Sequence, residues 1–455
     1  MASSDPDLPD GLLEWVARTG GGDVARLERH VARREAWVVD VARPDGTTLE
    51  GFLRLQREAG VDPRRLERET RIVEALGARG IPVPAVHGWN AALRATLFER
   101  DRGRSDIDKL EDRARQRAVM EDFVRVVARV HALDPDELGL DDVMAYRPKT
   151  PRECALAEVD AVVAQWRPFL ERNADPLTTY GLQWLERFAP DAVARVSLVQ
   201  GDTGPVNFLF QDDRVSAVVD WELGHYGDPL EDLGNIAVRE FWNPSGGLDG
   251  LFALYARESG IPYDRFRARY YAVHQNVRGM IPIHWVCANA HPRESLAWYL
   301  AYRYVGDRAT AEMLALAMEV EVERPEMPEG EGDGGRDVLA DAALYAQERD
   351  VAPRLADPFA ASRARDVATL VACMDRRRRH AAALDAALCE DVAALLGGRF
   401  DAGAGALRAL DAAVRAGGLD DAALLRVLAR KAWRDEWLHA PAVALYPERR
   451  WSAFD

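Results

Sequence analysis

The sequence predicts an α+β protein, with strands near its N-terminal end, a mostly helical middle containing a short β island, and an all-α C-terminal part. Three observations carry this. A Pro44-Asp45-Gly46 turn separates two runs rich in β-branched and aromatic residues. From about Asp106 onward apolar residues recur at helical spacing. Beyond an acidic stretch with glycines and prolines, Glu319 to Asp337, the chain becomes rich in Ala, Leu and Arg.

Taken in order, Leu12 to Ala17 reads as a short helix ended by Gly20-Gly21-Gly22. Ala36 to Val41 and Leu49 to Leu55 read as two strands joined by the turn, where proline presets φ and glycine tolerates a positive one. Arg64 to Ala78 spaces Leu66, Ile72, Val73 and Leu76 as a helix, stopped by Gly80 and Pro82. Pro82 to His87 and Ala95 to Arg100 are two further expected strands. Leu110 to Leu133 sets Val119, Phe123, Val126, Val127 and Val130 on one helical stripe. Two helices follow between Leu156 and Arg187, divided around Asp175-Pro176. The β island comprises Ser197 to Val199, Val206 to Gln211 and Arg214 to Val219, with Asp212-Asp213 as a tight turn. Helices resume at Leu230 and run to about Glu323. After the acidic linker, Val338 to about Leu438 is helical, broken at Gly397-Gly398 and Gly417-Gly418. No internal repeat is present.

A length of 455 residues allows two or three domains at roughly 150 residues each. The expected segments are 10–100, 101–325, a linker at 326–337, and 338–455. With 48% hydrophobic and 29% charged residues the composition is that of a folded globular chain. A formal net charge of -16 argues against nucleic acid as the main partner, because phosphate backbones need a basic footprint. It leaves room for a phosphorylated ligand in a local basic cleft. No uncharged apolar run reaches the ~20 residues that span a bilayer, so no membrane partner is expected. Met1 to Asp10 is polar and acidic, unlike a signal peptide, and the expected location is cytoplasmic. The four cysteines, Cys154, Cys287, Cys373 and Cys389, form no metal-type or redox pair in sequence. His225, His274, His284 and His291 have no close-spaced partner of the kind metal sites use. Arg376 to Arg379 is read as an exposed helix face or contact between subunits, with an anion-binding patch as the alternative.

The chemistry concentrates between Val199 and Glu240. Asp202 lies in a Gly-Asp-Thr-Gly turn after an apolar strand. Asn207 stands at the start of the next strand, and Asp220 closes the one after. A hairpin brings the start of one strand beside the end of its partner, so three oxygen-bearing side chains can converge. Phosphoryl transfer uses such a set: one carboxylate orients the acceptor hydroxyl, and an amide oxygen with a second carboxylate holds Mg²⁺. Asp and Asn are also common at turns and strand ends for local reasons, and spacing alone leaves that reading open.

The segment resembles the catalytic and metal loops of the aminoglycoside phosphotransferase and choline kinase families, relatives of protein kinases. The residues that carry the resemblance are Gly201-Asp202, Pro205-Val206-Asn207, Asp220-Trp221-Glu222, Gly227-Asp228-Pro229 and Asp232-Leu233. The resemblance covers about residues 10 to 325 and implies a bilobal protein-kinase-like fold, with ATP and Mg²⁺ as cofactors bound between the lobes. It implies Asp202 as catalytic base and Asn207 and Asp220 as Mg²⁺ ligands. Asp232 would brace the catalytic loop, Asp228 would cap the following helix, and Glu222 would give structural support. One position departs from the pattern: Gln200 stands where the family carries histidine, and glutamine can keep a hydrogen bond there.

The N-terminal lobe matches more loosely. The resemblance implies a phosphate-binding cation on a strand, oriented by a helix carboxylate; Arg54 is the candidate, Glu69 is placed to pair with it, Arg57 is a rival, and a surface arginine on an edge strand is the alternative reading. Arginine stays charged and can bind phosphate bidentately. The phosphate-covering loop falls on Val31 to Trp37, without glycine, where Arg33 and Arg34 either supply side-chain charge or are surface residues. Leu97, Phe98 and Glu99 are expected to hold adenine through backbone hydrogen bonds. From Val338 on, three segments resemble a helical domain accompanying some bacterial phosphotransferases of this branch: Ala343-Leu344-Tyr345, Glu390 to Gly397 and Val414 to Asp421. Self-association through it is an expectation.

The resulting expectation is an ATP-dependent phosphotransferase acting on a hydroxyl of a small molecule. The branch implies a catabolic alcohol or hydroxyacyl thioester rather than an antibiotic. The alternatives are an aminoglycoside O-phosphotransferase and a nucleotide-binding, pseudokinase-like interaction module. Acceptor walls would come from the helices between Arg239 and Arg303, where Phe241, Trp242, Tyr271, Trp285 and Trp298 serve either as core or as pocket.

Overall fold

Local turn chemistry sets up the N-terminal sheet. In the computed structural model, which describes residues 8–30, 35–56, 62–292, 294–328, 332, 335–447 and 449–452, helix α1 (Leu12–Gly20) is closed by Gly21 at φ 75°. Strands β1 (Asp23–Arg29), β2 (Ala36–Ala42) and β3 (Thr48–Leu55) follow, then helix α2 (Arg65–Gly77) and strands β4 (Val86–Asn90) and β5 (Ala95–Glu99). At the β2–β3 turn Asp45 Oδ1 accepts from Thr47 N at 2.9 Å and Thr47 Oγ1 at 2.6 Å, and Gly46 takes φ 83°. The five strands form one antiparallel sheet in the order β1-β2-β3-β5-β4. Its inner face packs Trp37, Val39, Val41, Leu53 and Leu97 against Leu12, Trp15 and Val16 of α1.

Two expectations change here. β1 is a strand the sequence reading did not include: an edge strand without a fully buried residue has little apolar alternation to betray it. The fourth strand begins at Val86 rather than Pro82, because Pro82 and Pro84 have no N–H for a ladder.

The helical part begins with α3 (Arg113–His131), whose N-cap Asp112 accepts from Ala114 N and Arg115 N, and continues through α4 (Pro135–Leu138), α5 (Pro151–Arg172) and α6 (Pro176–Arg187). The β island holds β6 (Ser197–Val199), β7 (Phe208–Gln211), β8 (Arg214–Val218) and β9 (His225–Gly227). β7 and β8 form the expected hairpin, turned at Asp212 with φ 52°. β9 pairs with β6, a pairing the sequence reading lacked. Then come α7 (Leu230–Trp242), α8 (Leu251–Ser259), α9 (Arg265–Asn289), α10 (Leu296–Ala317), α11 (Val338–Tyr345), α12 (Pro358–Leu396), α13 (Gly403–Ala416), α14 (Asp421–Leu438) and α15 (Ala440–Val443). The breaks at Gly397-Gly398 and Gly417-Gly418 are real: all four glycines have positive φ, between 75° and 91°. Among the described residues no helix is long and apolar enough to cross a membrane.

The chain forms two compact units. One comprises the described residues of Met1–Cys154, Asp191–Arg265 and Trp451–Asp455. In it Phe123 of α3 stacks on Phe208 of β7, with ring centroids 4.2 Å apart, which seats the hairpin on the helix. Phe241 and Trp242 are buried.

The other unit comprises Ala155–Pro190 and the described residues of Phe266–Arg450. In it Thr179 Oγ1 donates to Asp411 Oδ1 at 2.6 Å and the Tyr180 hydroxyl to Asp421 Oδ1 at 2.9 Å, joining α6 to α13 and the start of α14. Ala311, Ala429 and Ala432 let α10 and α14 approach closely. Tyr271 is buried, and Trp285 packs on Trp166 at 4.9 Å. The arginine run is engaged: Arg376 lies 4.1 Å over the Trp437 ring, and Arg378 and Arg379 pair with Asp375.

Candidate active site

The loop from Gln200 to Asn207 leaves β6 and enters β7. Gly201 takes φ 78°, and a Cβ there would lie 2.5 Å from the Leu223 carbonyl oxygen, so the close passage of the two segments needs glycine. Gln200 N and Gly201 N donate to the Asp232 carboxylate at 3.0 and 3.1 Å, and Gln200 Nε2 donates to the Val219 carbonyl. The loop is thereby tied to α7 and to the end of β8. Val206 has φ 73°, strained backbone for a β-branched residue, directly before Asn207. Asn207 N–H donates to Gly204 O at 3.1 Å, and its carbonyl accepts from Val219 N at 3.0 Å. Its Nδ2 donates to the Asp202 carbonyl at 2.6 Å and to Asp202 Oδ2 at 3.0 Å. The hairpin thus brings Asn207 beside Asp202 and beside the residue preceding Asp220.

Asp220 follows β8 at φ 62°, a left-handed conformation Asp tolerates better than most residues. It faces Arg54 of β3 at 3.7 Å. Arg54 also contacts Glu69 of α2 at 2.6 Å and Glu222 at 3.5 Å. Burial alone would lower the Arg54 pKa, but the Glu69 and Asp220 carboxylates outweigh it and hold it above its usual value. Arg68 of α2 adds a bond to the Glu222 carbonyl at 3.1 Å. Arg54, Glu69, Asp220 and Glu222, four residues from three separate stretches of sequence, therefore form one cluster.

The adenine-binding expectation meets an obstacle. Leu97 and Phe98 lie inside β5 with partners on both sides, Leu53 and Phe52 of β3 and Gly88 and Val86 of β4. Glu99 N donates to Ala85 O at 2.7 Å. The sheet register thus places Leu97 and Phe98 between two strands, and the Glu99 N–H is already bonded. Arg57, Arg33 and Arg34 lie outside the described residues.

A model of the phosphotransferase enzyme family, APH, matches residues 25–271, more than half of the chain. The chain belongs to this phosphotransferase family. Acyl-CoA dehydrogenase family member 11 of Rattus norvegicus is 31% identical over 211 residues, 44% of this chain and 26% of that protein. Hygromycin-B 4-O-kinase of Escherichia coli is 31% identical over 91 residues, 20% of this chain and 25% of that protein. The match thus spans about a quarter of the length of these curated relatives. Among solved structures, an aminoglycoside-phosphotransferase-like protein of Ralstonia eutropha superposes with a TM-score of 0.53 at 20% identity, covering 68% of this chain and 96% of that one. At that identity the likeness speaks for the fold, which is α+β and kinase-like.

In this phosphotransferase-family chain the structure adds residues that sequence reasoning missed. His131, at the end of α3, is fully buried; its Nε2 lies 3.0 Å from Asp232 Oδ2 and its Nδ1 2.7 Å from the Tyr255 hydroxyl. Asp232 therefore meets two loop N–H groups and a histidine. Arg239 reaches from α7 to the Asp202 carboxylate, with Nε 2.9 Å from Oδ1 and a terminal nitrogen on Oδ2. One signal pointed to it: Asp232 and Arg239 are seven residues apart, two turns of one helix, and so share a face. Asp228 Oδ1 accepts from Leu230 N at 3.0 Å at the start of that helix.

The residues present fit a magnesium ion. Asn207 Nδ2 is turned to Asp202, which leaves Oδ1 as the amide's accepting atom, and Asp220 adds a carboxylate. These are hard oxygen donors, and Mg²⁺ takes one or two of them together with phosphate oxygens and water. No group of three or more His, Cys, Asp or Glu placed to hold a metal occurs among the described residues, so the fit rests on Asn207 and Asp220. Arg54 faces three carboxylates, Glu69, Asp220 and Glu222.

Proposed function

We propose that this protein is an Mg-ATP-dependent small-molecule kinase that phosphorylates an alcohol at Asp202. The observation that carries the reading is the Asn207 Nδ2 to Asp202 Oδ2 bond at 3.0 Å, in a loop whose other end faces Val219, next to Asp220. A proton-accepting carboxylate then lies beside one metal-type side chain, Asn207, and the hairpin sets the second, Asp220, next to the residue bonded to Asn207. Bound Mg-ATP supplies the transferable γ-phosphoryl group and the metal charge that offsets its oxygens.

The protein's own residues do the rest. Asp202 orients the acceptor hydroxyl for in-line attack and takes its proton. Asn207 and Asp220 hold the metal. Arg54, oriented by Glu69, meets the phosphates. Asp232 keeps the loop in shape through Gln200 and Gly201, with His131 behind it, and Glu222 supports Arg54. The adenine edge is held at the end of β5, where of Leu97, Phe98 and Glu99 the last stands at the strand's exit.

For the acceptor, likeness to proteins named acyl-CoA dehydrogenase family member 11 over 44% of the chain supports a catabolic alcohol or hydroxyacyl thioester. The shorter likeness to hygromycin-B 4-O-kinase keeps an aminoglycoside as the competing acceptor. The test is nucleoside diphosphate release by the purified protein with Mg-ATP across hydroxyacyl-CoAs, amino alcohols, aminoglycosides, and terpenoid and steroid alcohols, with Asp202→Ala as control. Release that depends on one acceptor class and on Asp202 supports the kinase and names its substrate. Turnover with aminoglycosides alone overturns the acceptor assignment. Mg-ATP binding without any stimulated release favours a nucleotide-binding module.

A further inference from the structure

We infer that Arg239 is a positioning residue for the transfer step, fixing the place and plane of the Asp202 carboxylate from outside the catalytic loop. The inference rests on the kinase reading above, in which Asp202 takes the acceptor's proton.

The geometry is a two-point grip. Arg239 Nε donates to Asp202 Oδ1 at 2.9 Å and a terminal nitrogen donates to Oδ2, while Asn207 Nδ2 reaches Oδ2 at 3.0 Å. A planar guanidinium holding both oxygens of a carboxylate sets its orientation as well as its position, which a single ammonium does not. Both side chains are shielded, Arg239 at 18% and Asp202 at 20% exposure, so the pair is far less screened than a surface ion pair.

The backbone is arranged to allow this grip. Gly204 stands two residues after Asp202 at φ 137°. A Cβ there would lie 2.6 Å from Arg239 Cβ and 3.2 Å from Ile236 Cα. The loop and α7 therefore touch too closely for any side chain at 204, and that approach is what lets an arginine on α7 reach into the loop. The helix is pinned at both ends of the contact. Asp232 takes Gln200 N and Gly201 N, and Glu240, the neighbour of Arg239, accepts from Ser245 N at 2.7 Å and Gly247 N at 2.8 Å. One helix thus holds the loop backbone through Asp232 and the loop's carboxylate through Arg239.

In the transfer step the acceptor oxygen bonds to the γ-phosphorus as the phosphoanhydride bond breaks. The electron pair of that bond stays with the leaving nucleoside diphosphate, and the hydroxyl proton passes to Asp202. A carboxylate already held in the right plane meets the hydroxyl without reorienting. Losing that preorganisation lowers turnover but leaves nucleotide binding, which uses the Arg54 cluster, unchanged.

The experiment compares wild type, Arg239→Ala, Arg239→Lys, Asp202→Ala and the Arg239→Ala/Asp202→Ala double variant, all as the full chain. Mg-ATP is used first with water as acceptor and then with an alcohol that the wild type turns over. Melting temperature and Mg-ATP affinity are read alongside. Arg239→Ala is expected to lower kcat by about a hundredfold, the cost of a misplaced catalytic group, with KM for ATP within about twofold. Arg239→Lys recovers part of kcat, and millimolar guanidinium restores part of the activity of Arg239→Ala but none to the double variant. A purely structural role would instead lower melting temperature and ATP affinity together and give no guanidinium rescue; that outcome overturns the inference. Should Arg239→Ala fail to fold, the kcat of Arg239→Lys decides, and a wild-type value with Lys overturns it. If wild-type turnover survives Asp202→Ala, or no turnover occurs, the kinase reading falls and this inference with it. If Asp202→Ala is inactive while Arg239→Ala keeps full kcat, this inference alone falls.

Discussion

The Arg54 guanidinium lies 2.6 Å from the Glu69 carboxylate, joining strand β3 to helix α2 across fifteen residues of sequence. The same guanidinium reaches Asp220 and Glu222, which lie far along the chain after the β7–β8 hairpin. A single cation therefore links the N-terminal sheet to the segment holding the candidate metal ligand.

Replacing Arg54 removes one partner from each of three carboxylates at once. Arg54→Ala is expected to lower stability, by up to about 3–5 kcal/mol for breaking a buried ion pair with Glu69, and to abolish measurable Mg-ATP binding. Arg54→Lys should not restore it, because a point charge cannot serve Glu69, Asp220 and Glu222 together. Urea denaturation and nucleotide titration of the three proteins check this.

Asp202 and Asp220 separate by kinetic signature. Asp202→Ala should lower kcat by about a thousandfold while Mg-ATP affinity holds, since its work is done on the acceptor's proton. Asp220→Ala should weaken Mg-ATP binding by on the order of tenfold or more, as expected for a lost metal contact. Equilibrium binding together with steady-state kinetics distinguishes the two, and unchanged turnover in both variants would remove the site assignment.

Gln200 offers a milder test. Its Nε2 donates to the Val219 carbonyl, a bond an imidazole N–H can also make. Gln200→His should keep kcat within about threefold of wild type, whereas Gln200→Ala leaves a part-buried carbonyl short of a donor and costs about 1 kcal/mol. A large change in kcat for the histidine variant would show that glutamine does more than brace the loop.

His284, in the helical unit, is held between Asp175 and Asp307, each at 2.7 Å. Burial alone would lower its pKa, but the two carboxylates raise it from 6.5 to about 9. A histidine whose pKa is higher in the folded state stabilises the fold fully below its unfolded value and loses that contribution as pH rises through the folded value. Stability should therefore decline between about pH 6.5 and pH 9, by an amount on the order of 3 kcal/mol from this group. Melting temperature against pH for wild type and His284→Gln checks it: the variant should lack this part of the decline.

Much of the fold was legible because its signals are local. The Pro44-Asp45-Gly46 turn, the Asp212 turn, the paired glycines at 397 and 417, and the division of α5 from α6 before Pro176 each depend on a few adjacent residues. β1 and β9 were not legible. β1 is a half-exposed edge strand, and β9 is three residues whose pairing with β6 depends on a segment some thirty residues away.

The sequence by itself determined which residues could do chemistry. The Gly-Asp-Thr-Gly turn, Asn207, and the hairpin ending at Asp220 follow from turn residues and strand periodicity, and their order carries the family resemblance. Only the tertiary structure decided what surrounds them. Arg239 meets Asp202 across 37 residues, His131 meets Asp232 across 101, and Arg54 meets Glu222 across 168. A contact between distant residues depends on how whole elements pack, on whether Gly204 lets α7 come close and whether Phe123 seats the hairpin. Local propensity fixes the elements; burial of their shared apolar faces fixes which charged groups are brought together.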